Sequence, residues 1–302
     1  MKIAALDLGS NTFLCLICEV VDHKITQIYS DEVDVVRLGQ DVNKTKRLHP
    51  DALVRAKNTL TQFKKTIDLH KPDAILAMAT SAARDSENKE ELFKICNDLE
   101  IPLEIIPGHK EAQITFEGSI SGLATTKSNQ LIVDIGGGST EYILGQNRAI
   151  LFSQSLNIGC VRLTEQFVKQ QPTPETQIQE LTQFIHQQIS DFKNKTQPTI
   201  DEILAVAGTP TTLAAVEIGY FDPKKIDGYI ITRSGLEKWL ERLAQTSVEQ
   251  KLAMGFPAGR ADVILVGIII LLETLKIFNM DKLFVSTRGV RFGIALEVAR
   301  RQ

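Results

Sequence analysis

The stretch LIVDIGGGSTEYIL, residues 131–144, decides the reading of this chain. Two apolar runs flank a turn made almost only of glycine and hydroxyl residues, the pattern of a strand–turn–strand. Glycine lets the backbone come close to whatever the turn binds, because it has no Cβ. Bare N–H groups converging in such a turn form a nest for anions, phosphate oxygens above all. Asp134 closes the first strand and Glu141 opens the second. A tight turn can set their carboxylates on the same side, and paired carboxylates beside phosphate are what Mg²⁺ requires.

The pattern occurs twice. ALDLGSNTF around Asp7 matches VDIGGGSTE around Asp134. Each copy runs strand, aspartate, glycine turn, second strand, third strand, then alternating helices and strands. Internal repetition of this kind predicts two similar α/β halves, and a cleft between them. Asp7 is thereby a third candidate metal ligand. The turns nominate Ser10, Asn11 and Thr12 in one half and Gly136, Gly137, Gly138, Ser139 and Thr140 in the other as phosphate binders. A third nest, Gly208 and Thr209, follows the apolar run EILAVAG and opens a helix, whose N-terminus also favours anions.

Working outward, KIAALDLG, TFLCLICEV and KITQIYSDEVDVVRL read as an antiparallel meander of strands. Leu53, Ala56, Leu60, Phe63 and Ile67 recur at steps of three and four, which predicts an amphipathic helix from His49 to His70. Further helices are expected at NKEELFKICNDL, KEAQITFEGSISGL, PETQIQELTQFIHQQISDF, RADVILVGIIILLETL and GVRFGIALEVARR. Strands are expected at DAILAMAT, LEIIP, AILFSQSL, EILAVAG and KLFVST. At 302 residues the prior is about two domains. The first is placed at 1–124 and the second at 125–302, with the helix at 290–302 packing back on the first and the crossing in the polar segment Ala124–Asn129.

Composition excludes several classes. The net charge of −3 and the lack of a basic block argue against nucleic acid. The apolar run from Val263 to Leu272 is shorter than the ~20 residues that span a bilayer, so it reads as a buried helix and no membrane role is expected. Four cysteines, Cys15, Cys18, Cys96 and Cys160, are too scattered for a disulfide framework and read as reduced core residues. Without the apolar core of a signal peptide at the start, a cytoplasmic setting is expected.

Eight strings occur in order: ALDLGSNTF, ATSAARDSEN, IPGHKEAQ, VDIGGGSTE, NIGCVRLTEQF, AVAGTPTTL, GRADVILVG and VSTRGVRFG. Together they resemble the exopolyphosphatase / guanosine pentaphosphate phosphatase family, across essentially the whole chain. The resemblance implies two ribonuclease H-like domains of the actin-like superfamily, in the short form without an appended helical domain. It implies hydrolysis of phosphoanhydrides, inorganic polyphosphate or guanosine penta- and tetraphosphate as ligand, Mg²⁺ as cofactor, and a homodimer. It also implies roles: Glu111 as the general base on the attacking water, Arg84 on phosphate, and Asp134 with Glu141 on the metal. Arg288 joins the phosphate binders, and Arg260 is a further donor of the right kind. Two departures stand out. His109, Lys110 and Gln113 replace acids and an arginine around the base, and Thr287 stands where a carboxylate is commoner. A kinase or ATPase of the same superfamily, or a non-catalytic nucleotide or polyphosphate sensor, would share the phosphate turns.

Overall fold

A computed structural model describes residues 1–122, 129–196 and 199–302. Of the expected crossing segment, residues 124–128 lie outside the described residues. The chain forms two compact units, Met1–Leu123 with Arg288–Gln302, and Ala124–Thr287.

The first unit opens with β1 (Lys2–Leu8), β2 (Thr12–Val21) and β3 (Lys24–Val35), an antiparallel meander. Then come α1 (Val42–Thr45), α2 (Pro50–His70), β4 (Ala74–Ala79), α3 (Ser81–Arg84), α4 (Glu90–Asp98), β5 (Leu103–Ile105) and α5 (Gly108–Ile120). The sheet order is β3-β2-β1-β4-β5, with β4 and β5 parallel to β1. Strand alternation splits β1 between two cores. Ala4, Leu6 and Leu8 pack with Leu53, Ala56, Leu60 and Phe63 of α2. Ile3 and Ala5 face the other way, against Ile114 of α5.

The second unit repeats this plan. It runs β6 (Gln130–Ile135), β7 (Thr140–Gln146), β8 (Ala149–Leu156), α6 (Cys160–Phe167), α7 (Glu175–Lys193), β9 (Glu202–Val206) and α8 (Gly208–Ile218). There follow α9 (Pro223–Ile226), β10 (Ile230–Thr232), α10 (Arg233–Ala244), α11 (Val248–Ala253), α12 (Ile264–Ile277) and β11 (Lys282–Val285). The sheet order, read from its meander, is β8-β7-β6-β9-β11 with β10 added antiparallel at the far edge. One core gathers Leu131, Val133, Ile135 and Tyr142 with Leu181, Ile185 and Ile189 of α7 and the apolar length of α12. Helix α12 is buried nearly all round, as its sequence requires, and no helix among the described residues is long and apolar enough to cross a membrane.

The last helix, α13 (Val290–Arg301), belongs to the first unit. Val290, Phe292 and Ile294 pack on the Ile3–Ala5 face of β1. It crosses α5 so closely that a Cβ on Gly293 would lie 1.9 Å from the Ile114 carbonyl oxygen, and one on Gly118 would lie 2.1 Å from that of Gly289. Each unit is an α/β, ribonuclease H-like domain.

Candidate functional site

The first unit's turn is closed by Gly9 N–H donating to Thr12 O at 3.1 Å, and a Cβ on Gly9 would lie 2.9 Å from that oxygen. Asn11 O accepts from the N–H groups of Val36 and Arg37, at 3.0 and 2.8 Å, and Ser10 O from Gly39 at 2.8 Å. In a trans peptide the next N–H points opposite to the carbonyl. The N–H groups of Asn11 and Thr12 therefore turn away from the 36–39 segment. Ser10 Oγ lies 2.8 Å from Ser81 Oγ and accepts from Ala82 N–H at 3.1 Å. The Ser10 side chain thus ties the turn to α3, where Arg84 sits.

Arg84 Nη1 donates to the Ile106 carbonyl at 2.9 Å and to Glu111 Oε2 at 3.2 Å. Glu111 is buried in the first turn of α5, where the helix dipole favours a carboxylate. Asp7, also buried, shares the face of β1 that carries Ile3 and Ala5, the face packed beneath α5. The first unit thus brings Ser10, Arg84 and Glu111 into one connected set at the end of its sheet.

In the second unit the corresponding bond runs from Gly136 N–H to Ser139 O at 3.0 Å, between the positions equivalent to Gly9 and Thr12. Cys160 N–H donates to Gly136 O, the Val161 and Arg162 N–H groups to Gly137 O, and Arg162 Nε to Gly138 O at 2.7 Å. Three consecutive carbonyls are held back by the start of α6, so the N–H groups of Gly137, Gly138 and Ser139 are turned the other way. Gly159 makes this possible: a Cβ there would lie 2.3 Å from both Gly137 O and Gly138 C. Thr140, fully buried, donates its hydroxyl to Ile158 O at 2.8 Å. Expected as a phosphate binder, its side chain braces the turn instead.

The third turn follows β9, whose parallel register sets Val206 beside Asp134. Gly208 therefore starts α8 at the same end of the sheet as the Gly136 turn. Ala207, just before it, holds φ 69° and ψ −163°, a conformation costly for any residue with a Cβ. A Cβ on Gly208 would lie 1.9 Å from Cζ of Arg260, so the guanidinium lies against the opening of the helix. Thr209 packs where α12 has Gly267, whose Cβ would lie 2.4 Å from Thr209 Cγ2. Arg288 is placed differently. It belongs to the first unit, lies against Gly122, sits over the Phe292 ring at 5.4 Å and reaches Ser121 Oγ at 3.4 Å.

Asp134 and Glu141 are register partners across β6 and β7, both buried. Directly opposed residues share one face of the sheet. The neighbouring pair Val133 and Tyr142 belongs to the core, so the two carboxylates lie on the other face. Ser155 donates to Glu141 Oε1 at 2.7 Å and orients it. Among the described residues, no group of three or more His, Cys, Asp or Glu could hold a metal by itself. Two juxtaposed hard-oxygen ligands fit Mg²⁺, which usually keeps several waters and takes one or two carboxylates plus substrate oxygens.

Ser81, Ser155, Gly159 and Arg162 are the parts not assigned from sequence. The string NIGCVR was visible, but the need for a glycine at 159 lies in a contact with a distant loop, that of Gly137 and Gly138. The departures around the base are also placed. Lys110 pairs with Glu297 of α13 at 3.0 Å and serves the α5–α13 contact, while Gln113 donates to Glu117, one turn further along α5 itself, at 3.3 Å. Thr287 lacks a carboxylate of its own, but Asp227 Oδ1 accepts from its N–H at 2.9 Å and from Ser286 Oγ at 3.2 Å.

Fold and turns define the class: a two-unit ribonuclease H-like α/β protein with matched glycine-and-hydroxyl turns at its sheet ends. The chain belongs to the Ppx/GppA phosphatase family, whose profile matches residues 16–302. It is 30% identical to exopolyphosphatase 2 of Mycobacterium tuberculosis, over 99% of this chain and 98% of that protein. It is 35% identical to a bifunctional 3-dehydroquinate synthase/phosphatase of Fusobacterium nucleatum; the match covers 97% of this chain but only 46% of that relative's length. Its fold is similar to the crystal structure of an exopolyphosphatase from Cytophaga hutchinsonii, with a TM-score of 0.91 and 27% identity over 100% of this chain and 98% of that one.

Proposed function

We propose that the protein is a phosphoanhydride hydrolase that releases the terminal phosphate of inorganic polyphosphate or guanosine pentaphosphate. The observation that carries this is the pair of turns closed by the same backbone bond at equivalent positions of the repeat, each with its carbonyls drawn back and its N–H groups turned outward. Phosphoryl transfer asks for a held anion, neutralised charge and a water aimed in line. The turns supply donors to phosphate oxygens. Glu111 takes the proton of the attacking water as its oxygen bonds to phosphorus and the bridging oxygen leaves with the electron pair. Arg84, on Glu111 Oε2, holds that carboxylate in place and offers its remaining N–H groups to phosphate. Asp134 and Glu141 would hold Mg²⁺, which when bound neutralises phosphate charge.

The test is Glu111→Gln, assayed for Mg²⁺-dependent phosphate release from long polyphosphate, short polyphosphate and guanosine pentaphosphate side by side. A general base contributes roughly 10²- to 10⁴-fold, so release should drop by at least about 10²-fold while binding persists. A variant releasing phosphate at the parent rate would remove Glu111 from this role.

A further inference from the structure

Helix α6 begins without a cap of its own. Gly159 stands at its N-cap and has no side chain to satisfy the first N–H groups. The Gly136 turn satisfies them instead, with Cys160 N–H on Gly136 O at 3.0 Å and the Val161 and Arg162 N–H groups on Gly137 O at 2.9 and 3.0 Å. The next carbonyl of the turn, Gly138 O, accepts from Arg162 Nε at 2.7 Å. Arg162 is the third residue of α6, and no acidic residue shares its first turn. A cation at that place opposes the helix dipole, which favours a carboxylate there. Stability of the helix therefore does not explain the arginine. The peptide that it grips does. The Gly138 carbonyl and the Ser139 N–H are two ends of one planar trans unit, so fixing the first aims the second. Hydrogen bonds in series polarise one another, and a bond from an ionised donor is about twice as strong as a neutral one. The guanidinium keeps its charge at any working pH. In the first unit the corresponding carbonyls are drawn back by the amides of Val36, Arg37 and Gly39, which belong to a loop. The second turn is backed by a helix start and a guanidinium.

We infer that Arg162 is a positioning residue of the anion site, acting on phosphate through the Gly138–Ser139 peptide: it aims the Ser139 N–H and strengthens it as a donor. The role rests on the proposed reading of the Gly136–Thr140 turn as a phosphate cradle. The guanidinium takes the carbonyl side of that peptide and the ligand takes the N–H side. Arg162 thus supplies charge as well as a bond, and two substitutions separate these. Arg162→Lys keeps the charge, whereas Arg162→Gln keeps an N–H donor and loses the charge.

The experiment measures, for the parent and both variants, the Kd for tripolyphosphate by calorimetry, the urea midpoint, and Mg²⁺-dependent phosphate release resolved into kcat and KM. Arg162→Gln should raise the Kd about tenfold and lower kcat/KM by at least as much, the difference between a charged and a neutral donor. Arg162→Lys should stay within about threefold of the parent in both, with a urea midpoint equal to that of Arg162→Gln. Losses of equal size in the two variants would show that the turn needs the shape of the arginine and not its charge, and would overturn the role. Parent-like binding by Arg162→Gln would overturn it as well. Gly159→Ala, which shifts the same turn by packing alone, then separates the two readings. If it weakens tripolyphosphate binding, the cradle stands without Arg162. If it lowers the urea midpoint but binds like the parent, the cradle reading falls too. A parent that binds tripolyphosphate but releases no phosphate removes the hydrolase reading and leaves the binding comparison to judge Arg162.

Discussion

Gly159 has an ordinary φ of −82°, so backbone freedom is not why it is glycine. The reason is the 2.3 Å at which any Cβ would meet Gly137 O and Gly138 C. Gly159→Ala must push the 136–139 turn off its clamp, an overpacking change that costs about 1–3 kcal/mol. The expected outcome is a lower urea midpoint and a fall in kcat/KM of at least about tenfold, since a displaced donor weakens the transition state more than the fold. Parent-like values of both would show that the turn adapts freely. At this scale the sequence was legible where one short string contains both partners. Asp134 and Glu141 frame a single turn, and their pairing follows from its length. Ser155 on Glu141, Ser81 on Ser10 and Arg162 on Gly138 were not legible, because each partner comes from a different element and the residue types are common anywhere. Thr140 shows the converse: its place in the turn was evident, but its hydroxyl belongs to Ile158.

At the scale of elements, long periodic helices and apolar strands were legible and short ones were not. Helix α2 begins at Pro50, with His49 as its N-cap, where its periodicity placed it. Helices α1, α3 and α9 have four residues each, too few to show a period, and their positions come from the turns they cap. Helix α11 hides a polar residue no pattern would place inside. Lys251 is fully buried, donating to the Gln171 side chain, while Gln171 Nε2 donates to Asp262 O at 2.7 Å. This tie joins α11 to the linker before α7 and to the turn that carries Arg260. Burial pushes the Lys251 ammonium down from 10.5 to about 8, against the opposing pull of Asp262. Below pH 8 both folded and unfolded chains carry the proton, and the folded state bears the cost of the buried charge. Between pH 8 and 10.5 the unfolded chain binds more protons, so this group's contribution to stability rises with pH, by up to about 3 kcal/mol. The four buried thiols act oppositely, Cys160 among them, raised by burial. Burial raises Cys15, Cys18 and Cys96 from 9.0 to about 12, so the unfolded chain loses protons first and stability falls above pH 9. The difference between Lys251→Met and the parent isolates the lysine. Their unfolding free energies, measured by urea titration from pH 7 to 10, should converge or cross as pH rises, with the variant relatively better at pH 7. Parallel curves would mean that Lys251 titrates alike in both states.

For the whole molecule, two features were legible at once: the repeat that pairs Asp7 with Asp134, and the ordered motifs running through the chain. The helix at 290–302 was expected to pack back on the first unit, but its periodicity alone does not place it there, since a 12-residue amphipathic segment fits many surfaces. What decides it is close fit. Gly118 and Gly293 let α5 and α13 meet backbone to backbone, and Arg291 grips Asp31 of β3 through two bonds of 2.7 and 2.8 Å. Without α13 the face of β1 carrying Ile3 and Ala5 loses Val290, Phe292, Ile294 and Leu296, each buried in its core. Exposing four such side chains removes several kcal/mol, at about 1.5–3 kcal/mol apiece, a large share of a domain's net stability. Three pieces test this. Residues 129–287 should unfold cooperatively by themselves, because their core draws only on their own strands and helices. Residues 1–122 should not, showing a broad urea transition and exposed apolar surface by dye binding. Adding residues 288–302 to that piece through a flexible Gly/Ser linker should restore a cooperative transition, provided the linker lets α13 reach α5. If 1–122 alone unfolds with the sharpness and midpoint of the rejoined piece, α13 is an accessory and the first unit is complete without it.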